Sequence, residues 1–271
     1  MIDNKELKKI ALNLRRKIIE ISFLSKAHHI GSELSCIDIL VSLYFKIMNI
    51  YPKKPKNKNR DYFILSKGHA ALALYVTLMK KGFFSENFLK NEFLSNGGKL
   101  GGHPDKNLNY GIEISTGSLG QGLSIAVGIA LMNKKDNKTN KTFVLLGDGE
   151  CNEGMIWEAA LFAGHKKLDN LFAIIDYNKL QGLGPTSEVI DLEPLKDKFI
   201  SFGWNTMLVD GHDINSIIAT IKKMFLQKDK PNLIIARTIK GKGVAFMENK
   251  FESHYLVLDK NKYKKAIKNL K

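Results

Sequence analysis

Two oxygen-bearing side chains stand where a cation and an anion would meet. Asp148 lies in Gly147-Asp148-Gly149, directly after the apolar run Thr142–Leu146, and Asn178 directly follows Tyr177 and a second such run, Leu171–Asp176. A carboxylate, an amide oxygen and nearby backbone carbonyls are the ligands that hard cations such as Mg²⁺ or Ca²⁺ prefer. The two glycines let the backbone turn sharply and approach a ligand closely. Amides opening the following helix would face an anion. Taken alone, Gly-Asp-Gly is an ordinary strand-to-helix turn. Paired with Asn178 at the end of the next parallel strand, it fits a divalent metal bridging to a diphosphate.

Histidines supply the remaining chemistry, because imidazole titrates near neutral pH and hydrogen-bonds to hydroxyls. There are seven, and His29, His69 and His103 stand beside glycines, in HIG, KGHA and GGHPD. His28, His165 and His212 read as ordinary surface or core histidines, with Asp213 able to cap the helix after His212. Cys151 has no base partner placed for it and reads as packing. Cys36 and Cys151 are the two cysteines, too few for a disulfide framework or a cysteine zinc site.

The elements that must position these groups follow from periodicity. Residues 4–25 carry apolar positions at helical spacing, and a second helix is expected over Cys36–Met48 with Ser35 as its N-cap. A lysine-rich loop at 52–60 precedes the short apolar stretch Tyr62–Leu65. Helices are expected at about 69–81, 85–95 and 120–133, with a glycine-rich loop at 96–102. Thr142–Leu146, a helix over Glu153–His165 and Leu171–Asp176 form a strand, helix, strand unit. The alternation continues through Thr206–Val209, a helix at 214–227 and Leu233–Thr238. This predicts an α/β fold: a doubly wound, mainly parallel sheet with helices on both faces. The chain reads as a single domain over 1–271, ending in a basic helix or frayed tail at 259–271.

GDGECNEGMIWEAA at 147–160 and IIDYNKLQGLGPT at 174–186 together resemble the thiamin-diphosphate signature. Four further stretches narrow the resemblance to the transketolase family: AHHIGSELS at 27–35, LSKGHAALALY at 65–75, GGHPD at 101–105 and STGSLGQGLSIAVGIAL at 115–131. They come in the family's order, cover most of the chain, and resemble the N-terminal, diphosphate-binding half of the split form.

The resemblance implies thiamin diphosphate with Mg²⁺, for which Ca²⁺ or Mn²⁺ substitutes, and transfer of a two-carbon ketol unit from a ketose phosphate to an aldose phosphate. It implies Asp148, Asn178 and the Leu180 carbonyl as metal ligands. The Gly149 amide and His69 would meet the diphosphate, and Gly117 and Leu119 the aminopyrimidine. Glu153 and Glu158 would lie at a subunit interface linking two cofactor sites. His29 and His103 would face the reactive carbon and the sugar hydroxyls. His254 is expected at the site too, in a loop that departs from the family pattern: Ser253-His254-Tyr255 replaces aromatic-His-Gly after Gly241-Lys242-Gly243. The glutamate that activates the aminopyrimidine belongs, in this family, to a pyrimidine-binding domain, so the chain is expected to need a separate C-terminal subunit, two copies of each chain assembling. Related readings are a sugar-modifying ketol transferase, a deoxyxylulose-phosphate-synthase-like enzyme, or a cofactor-free relic. The functional residues present together argue against the relic.

Composition limits the alternatives. Net charge +15 and an isoelectric point near 9.6 invite nucleic acid, yet only four of 42 basic residues are Arg, the side chain suited to bidentate phosphate and base contacts. No nucleic-acid partner is expected. No apolar run approaches the ~20 residues that span a bilayer, and charges interrupt the N-terminus where a secretion signal needs an apolar core. The expected location is cytoplasmic, with pentose-phosphate metabolism as the setting.

Overall fold

The computed structural model describes residues 2–270; Met1 and Lys271 lie outside the described residues. Helix α1 spans Asn4–Ser25 and is capped by Asp3, whose side chain accepts the Glu6 N–H at 2.8 Å. Its buried residues Leu7, Ile10, Ala11, Leu14, Ile18 and Ile21 recur at the spacing of one helix face. After it come α2 (Ile30–Ser35), α3 (Ile37–Ser42), a wider turn at Leu43–Ile47, β1 (Tyr62–Leu65), α4 (Ala71–Lys81), α5 (Glu86–Glu92) and α6 (Gln121–Lys135). The second half runs β2 (Thr142–Gly147), α7 (Gly154–His165), β3 (Leu171–Tyr177), α8 (Thr186–Val189), α9 (Leu195–Ser201), β4 (Asn205–Asp210), α10 (Ile214–Met224), β5 (Asn232–Arg237) and α11 (Lys260–Asn269).

Among the described residues five strands form one parallel sheet, in the order β1-β2-β3-β5-β4. Successive side chains point to opposite faces. Phe63, Leu65, Phe143, Leu145, Phe172 and Ile174 therefore meet α1, α3, α4 and α10, while Ile64, Val144, Leu146, Ala173 and Ile175 meet α6, α7 and α9. Every residue of β2 and β3 is buried, which is why both read as unbroken apolar runs. The doubly wound α/β expectation holds. In such a sheet ligands bind beyond the carboxyl ends of the strands. There Lys67 follows β1, Asp148 follows β2, Asn178 follows β3 and Thr238 follows β5.

Two local expectations are corrected. The second helix begins at Ile30, breaks at Cys36 and ends in the wider turn, rather than running Cys36–Met48. Ser35 is not a cap: its hydroxyl donates to the Asp176 carboxylate at 2.5 Å, a partner 141 residues away. Of the two forms expected for the C-terminal segment, a helix and a frayed tail, the structure shows the helix, α11. Asp259 caps it, Tyr263 stacks on Phe23 at 4.5 Å, and Arg16 Nε donates to the Leu270 carbonyl at 2.6 Å. His212 is a half-buried histidine with both ring nitrogens satisfied. It accepts the Ile239 N–H on Nε2 at 2.8 Å, so Nδ1 carries the proton toward Asp38, also 2.8 Å away.

Candidate active site

A cavity of about 290 Å³ opens at the carboxyl ends of β2 and β3. Its floor is built by the turn after β2. Asp148 is buried, and its carboxylate accepts the N–H groups of Gly149 at 2.8 Å and Lys179 at 2.5 Å. Burial, then the neighbouring Asp176 charge, pushes the Asp148 carboxyl up to about 6. Glu150 fastens the turn from behind, accepting the N–H groups of Gly120 at 2.9 Å and Gly147 at 3.0 Å together with the Ser66 hydroxyl. A Cβ at Gly149 would meet Gln181 Cγ at 2.8 Å, so this position tolerates no side chain without displacing Gln181.

The loop after β3 forms the facing wall. Asn178 Oδ1 accepts the Leu180 N–H at 3.1 Å, and the Leu180 carbonyl accepts from Lys240 Nζ at 3.1 Å. Gln181 lines the cavity with its amide nitrogen buried and without a partner. Beneath lies a buried ion pair. Asp176 accepts from Lys67, Ser35 and Thr238, and Lys67 Nζ also donates to the Ser32 carbonyl at 3.1 Å. Burial disfavours the Asp176 charge, but these donors outweigh it and hold the carboxyl below its ordinary range. Burial, then Lys67, pushes Lys240 down to about 8.

Histidines occupy the opposite end. The His29 ring centre lies 4.8 Å from that of His254, 5.6 Å from His69 and 5.9 Å from His103, and His69 and His254 are 5.1 Å apart. Two links hold the His254 turn (Phe251–His254) against α2: the His29 N–H donates to the His254 carbonyl at 2.8 Å, and Ser32 Oγ lies 3.2 Å from His254 Nδ1. The approach is close enough that a Cβ at Gly31 would fall 2.1 Å from Ser253 Oγ. Burial, then His103, lowers His29 to about 4; burial, then Lys240, lowers His254 to about 3; burial, then Lys67, puts His69 well below its ordinary value. At neutral pH these three rings are uncharged, able to accept a proton on one nitrogen and donate from the other.

Eight of the residues singled out from the sequence line the cavity: His69, Leu119, Asp148, Gly149, Glu153, Asn178, Leu180 and His254. His29, His103 and Gly117 lie beside it. His103 is exposed next to His29, and a Cβ at Gly117 would lie 3.1 Å from the His103 ring. Glu158 does not reach the cavity; it is exposed on α7, about 6 Å farther along the helix axis than Gly154. The sequence reading missed Lys67, Gln181, Lys240, Ser32 and Tyr255. For the two lysines a signal existed: each is a charged residue set among glycines and apolar residues just beyond a strand, in SKGHA and IKGKG.

The family model described as "Transketolase, thiamine diphosphate binding domain" matches residues 8–270. The chain belongs to the transketolase family. It is 45% identical over 256 residues to one of the subunits of the apulose-4-phosphate transketolase of Phocaeicola vulgatus, covering 94% of this chain and 90% of the relative. It is 43% identical over 242 residues to the 6-deoxy-6-sulfo-D-fructose transketolase subunit SqwG of a Clostridium species, covering 89% and 88%. The transketolase structure from Campylobacter jejuni superposes with a TM-score of 0.92 at 32% identity, covering 99% of this chain and 43% of that longer one. As a member of this family, the chain is the N-terminal, thiamin-diphosphate-binding part of a ketol-transferring enzyme.

Proposed function

We propose that this chain, as one diphosphate-binding domain, works with a separate pyrimidine-binding subunit to move a two-carbon ketol unit from a phosphorylated ketose to a phosphorylated aldose. The observation that carries this reading is the joining, in one cavity, of an oxygen donor set with a group of neutral histidines. Among the described residues no three His, Cys, Asp or Glu side chains converge as a metal cluster, so a cation here relies on mixed oxygen ligands. Asp148, Asn178 and the Leu180 carbonyl fit Mg²⁺, and equally Ca²⁺ or Mn²⁺. The Lys240 ammonium on the Leu180 carbonyl already marks that oxygen as cation-seeking. The unpartnered Gln181 amide nitrogen fits a phosphate oxygen.

When bound, thiamin diphosphate supplies the carbanion chemistry of the transfer. In this reading Asp148, Asn178 and Leu180 hold the metal. The Gly149 amide, His69, Gln181 and Lys240 hold the diphosphate, and the Gly117 and Leu119 backbone orients the aminopyrimidine. His29, His103 and His254 orient the sugar hydroxyls and move protons there. Glu153 and Glu158 face a second chain. That assignment draws support from the apolar side of α7, where Met155, Leu161 and Phe162 are exposed. Two copies of each chain form the proposed assembly, in keeping with the closed two-fold symmetry most soluble oligomers adopt. The Phocaeicola relative is named for a sugar phosphate and as one subunit of its enzyme, which supports a sugar-phosphate substrate and a separate partner chain here. Among the described residues no helix is long and apolar enough to cross a membrane; the proposed place of work is the cytoplasm. The test is ketol transfer by the chain alone and with its pyrimidine-binding partner. Activity only in the mixture is expected; turnover by the chain alone overturns the two-chain reading.

A further inference from the structure

Ser32 lines the cavity but has no part in the roles assigned above. It is buried, and its backbone is pinned on both sides. Its N–H donates to the His29 carbonyl at 2.9 Å, and its carbonyl accepts from Ser35 Oγ at 3.0 Å and Lys67 Nζ at 3.1 Å. The side chain turns to the His254 ring, with Oγ 3.2 Å from Nδ1. The other edge of that ring faces the loop after β3: Cδ2 and Nε2 lie 3.6 and 3.8 Å from where a Cβ on Gly182 would stand. Gly182 and His254 both line the cavity, so one ring nitrogen is tied to α2 and the other is turned toward the ligand space. Which nitrogen carries the proton follows from this pairing. The uncharged ring has a single N–H. On Nδ1 that proton would point at Ser32 Oγ and leave the proton of the buried hydroxyl without an acceptor, which is costly. With the proton on Nε2, the hydroxyl donates to Nδ1 and both buried groups are paired.

We infer that Ser32 is a positioning residue for His254: its hydroxyl donates to Nδ1, which fixes the ring proton on Nε2 and aims that N–H into the cavity. His254 then offers a sugar oxygen a donor and no acceptor. The tautomer is a property of the chain alone, whereas its catalytic consequence rests on the ketol-transfer reading. Ser32→Ala removes a single oxygen from a residue whose backbone is held by three other hydrogen bonds, so the fold stays and the tie to His254 goes.

Two measurements test this. The first uses the chain as it stands, with its histidine rings labelled with nitrogen-15. Long-range proton–nitrogen NMR spectra near neutral pH show which ring nitrogen carries the proton, and His254 is assigned as the signals lost in His254→Ala. The wild type should carry the proton on Nε2, and the Nδ1 resonance should move downfield in Ser32→Ala as its hydrogen bond is lost. A proton on Nδ1 in the wild type, or an Nδ1 resonance unmoved in the Ala variant, overturns the inference. The second uses the assembled two-chain enzyme. Ser32→Ala should lower kcat/KM for the ketose about fivefold, the scale of one neutral hydrogen bond. In a His254→Ala background the same change should cost about twofold or less, because Ser32 acts through the missing ring. An equal loss in both backgrounds, or no loss beside an active wild type, overturns the positioning role and leaves the ketol-transfer reading standing. If the wild-type assembly transfers no ketol unit, that reading fails, and the spectra of the chain alone still decide the tautomer.

Discussion

Asp148→Asn should stabilise the empty chain while abolishing its response to Mg²⁺ and thiamin diphosphate. The magnitude follows from burial. The carboxyl rises from its ordinary 3.8 to about 6, driven first by burial and then by Asp176. A carboxyl raised in the fold binds more protons folded than unfolded, so stability falls as pH climbs through that window and the penalty is complete above it. The rise corresponds to ~3 kcal/mol of destabilisation at pH 7.5. An amide carries no charge and escapes this penalty. Its single carbonyl oxygen serves the Gly149 and Lys179 N–H groups less well, which returns about 1 kcal/mol. The net gain is ~2 kcal/mol, or ~4 °C in Tm for 271 residues. Thermal unfolding followed by circular dichroism at pH 7.5 in chelator reads it directly, and the gap should close as pH falls toward about 4. With Mg²⁺ and thiamin diphosphate at ~100 times Kd, the wild type should gain ~2.7 kcal/mol and the variant nothing. A variant less stable than wild type in chelator, or one that keeps the ligand-induced rise, refutes the reasoning.

Lys67→Met removes one of the donors that hold the buried Asp176 carboxylate and should cost about 3–5 kcal/mol in urea unfolding, with part recovered when Asp176→Leu is added. In the assembled enzyme, His103→Ala should lower kcat/KM for the ketose ~10²-fold with little change in cofactor affinity, whereas His69→Ala should weaken the cofactor more than the turnover at saturation; steady-state kinetics with cofactor titration separates the two. Leu161→Asp, on the exposed apolar side of α7, should leave the circular dichroism of the chain unchanged and halve the mass of the assembly by native mass spectrometry.

Much of this molecule is written locally. β2 and β3 are covered on both faces, so each had to be a short apolar run. The chain leaves the sheet at their ends, where Asp148 stands between glycines and Asn178 follows Tyr177. Strand length, helix period and turn chemistry depend on near neighbours, so the alternating elements and the two oxygen ligand candidates were legible without coordinates. The start of α2 was not. His29 precedes it at φ 70° with no side-chain cap, and its N–H is satisfied instead by the carbonyl of His254. Nor could any local pattern pair Lys67 with Asp176, 109 residues on, or seat Ser35 against the same carboxylate. His254 sits in an unfamiliar sequence context, yet it meets His29 because Gly31 lets the late turn pack against α2. Periodicity and turns are set by residues a few positions apart. Which buried charge finds which partner, and which histidines share a cavity, depends on how the strand order brings distant loops to one edge of the sheet, and only the tertiary structure decides that.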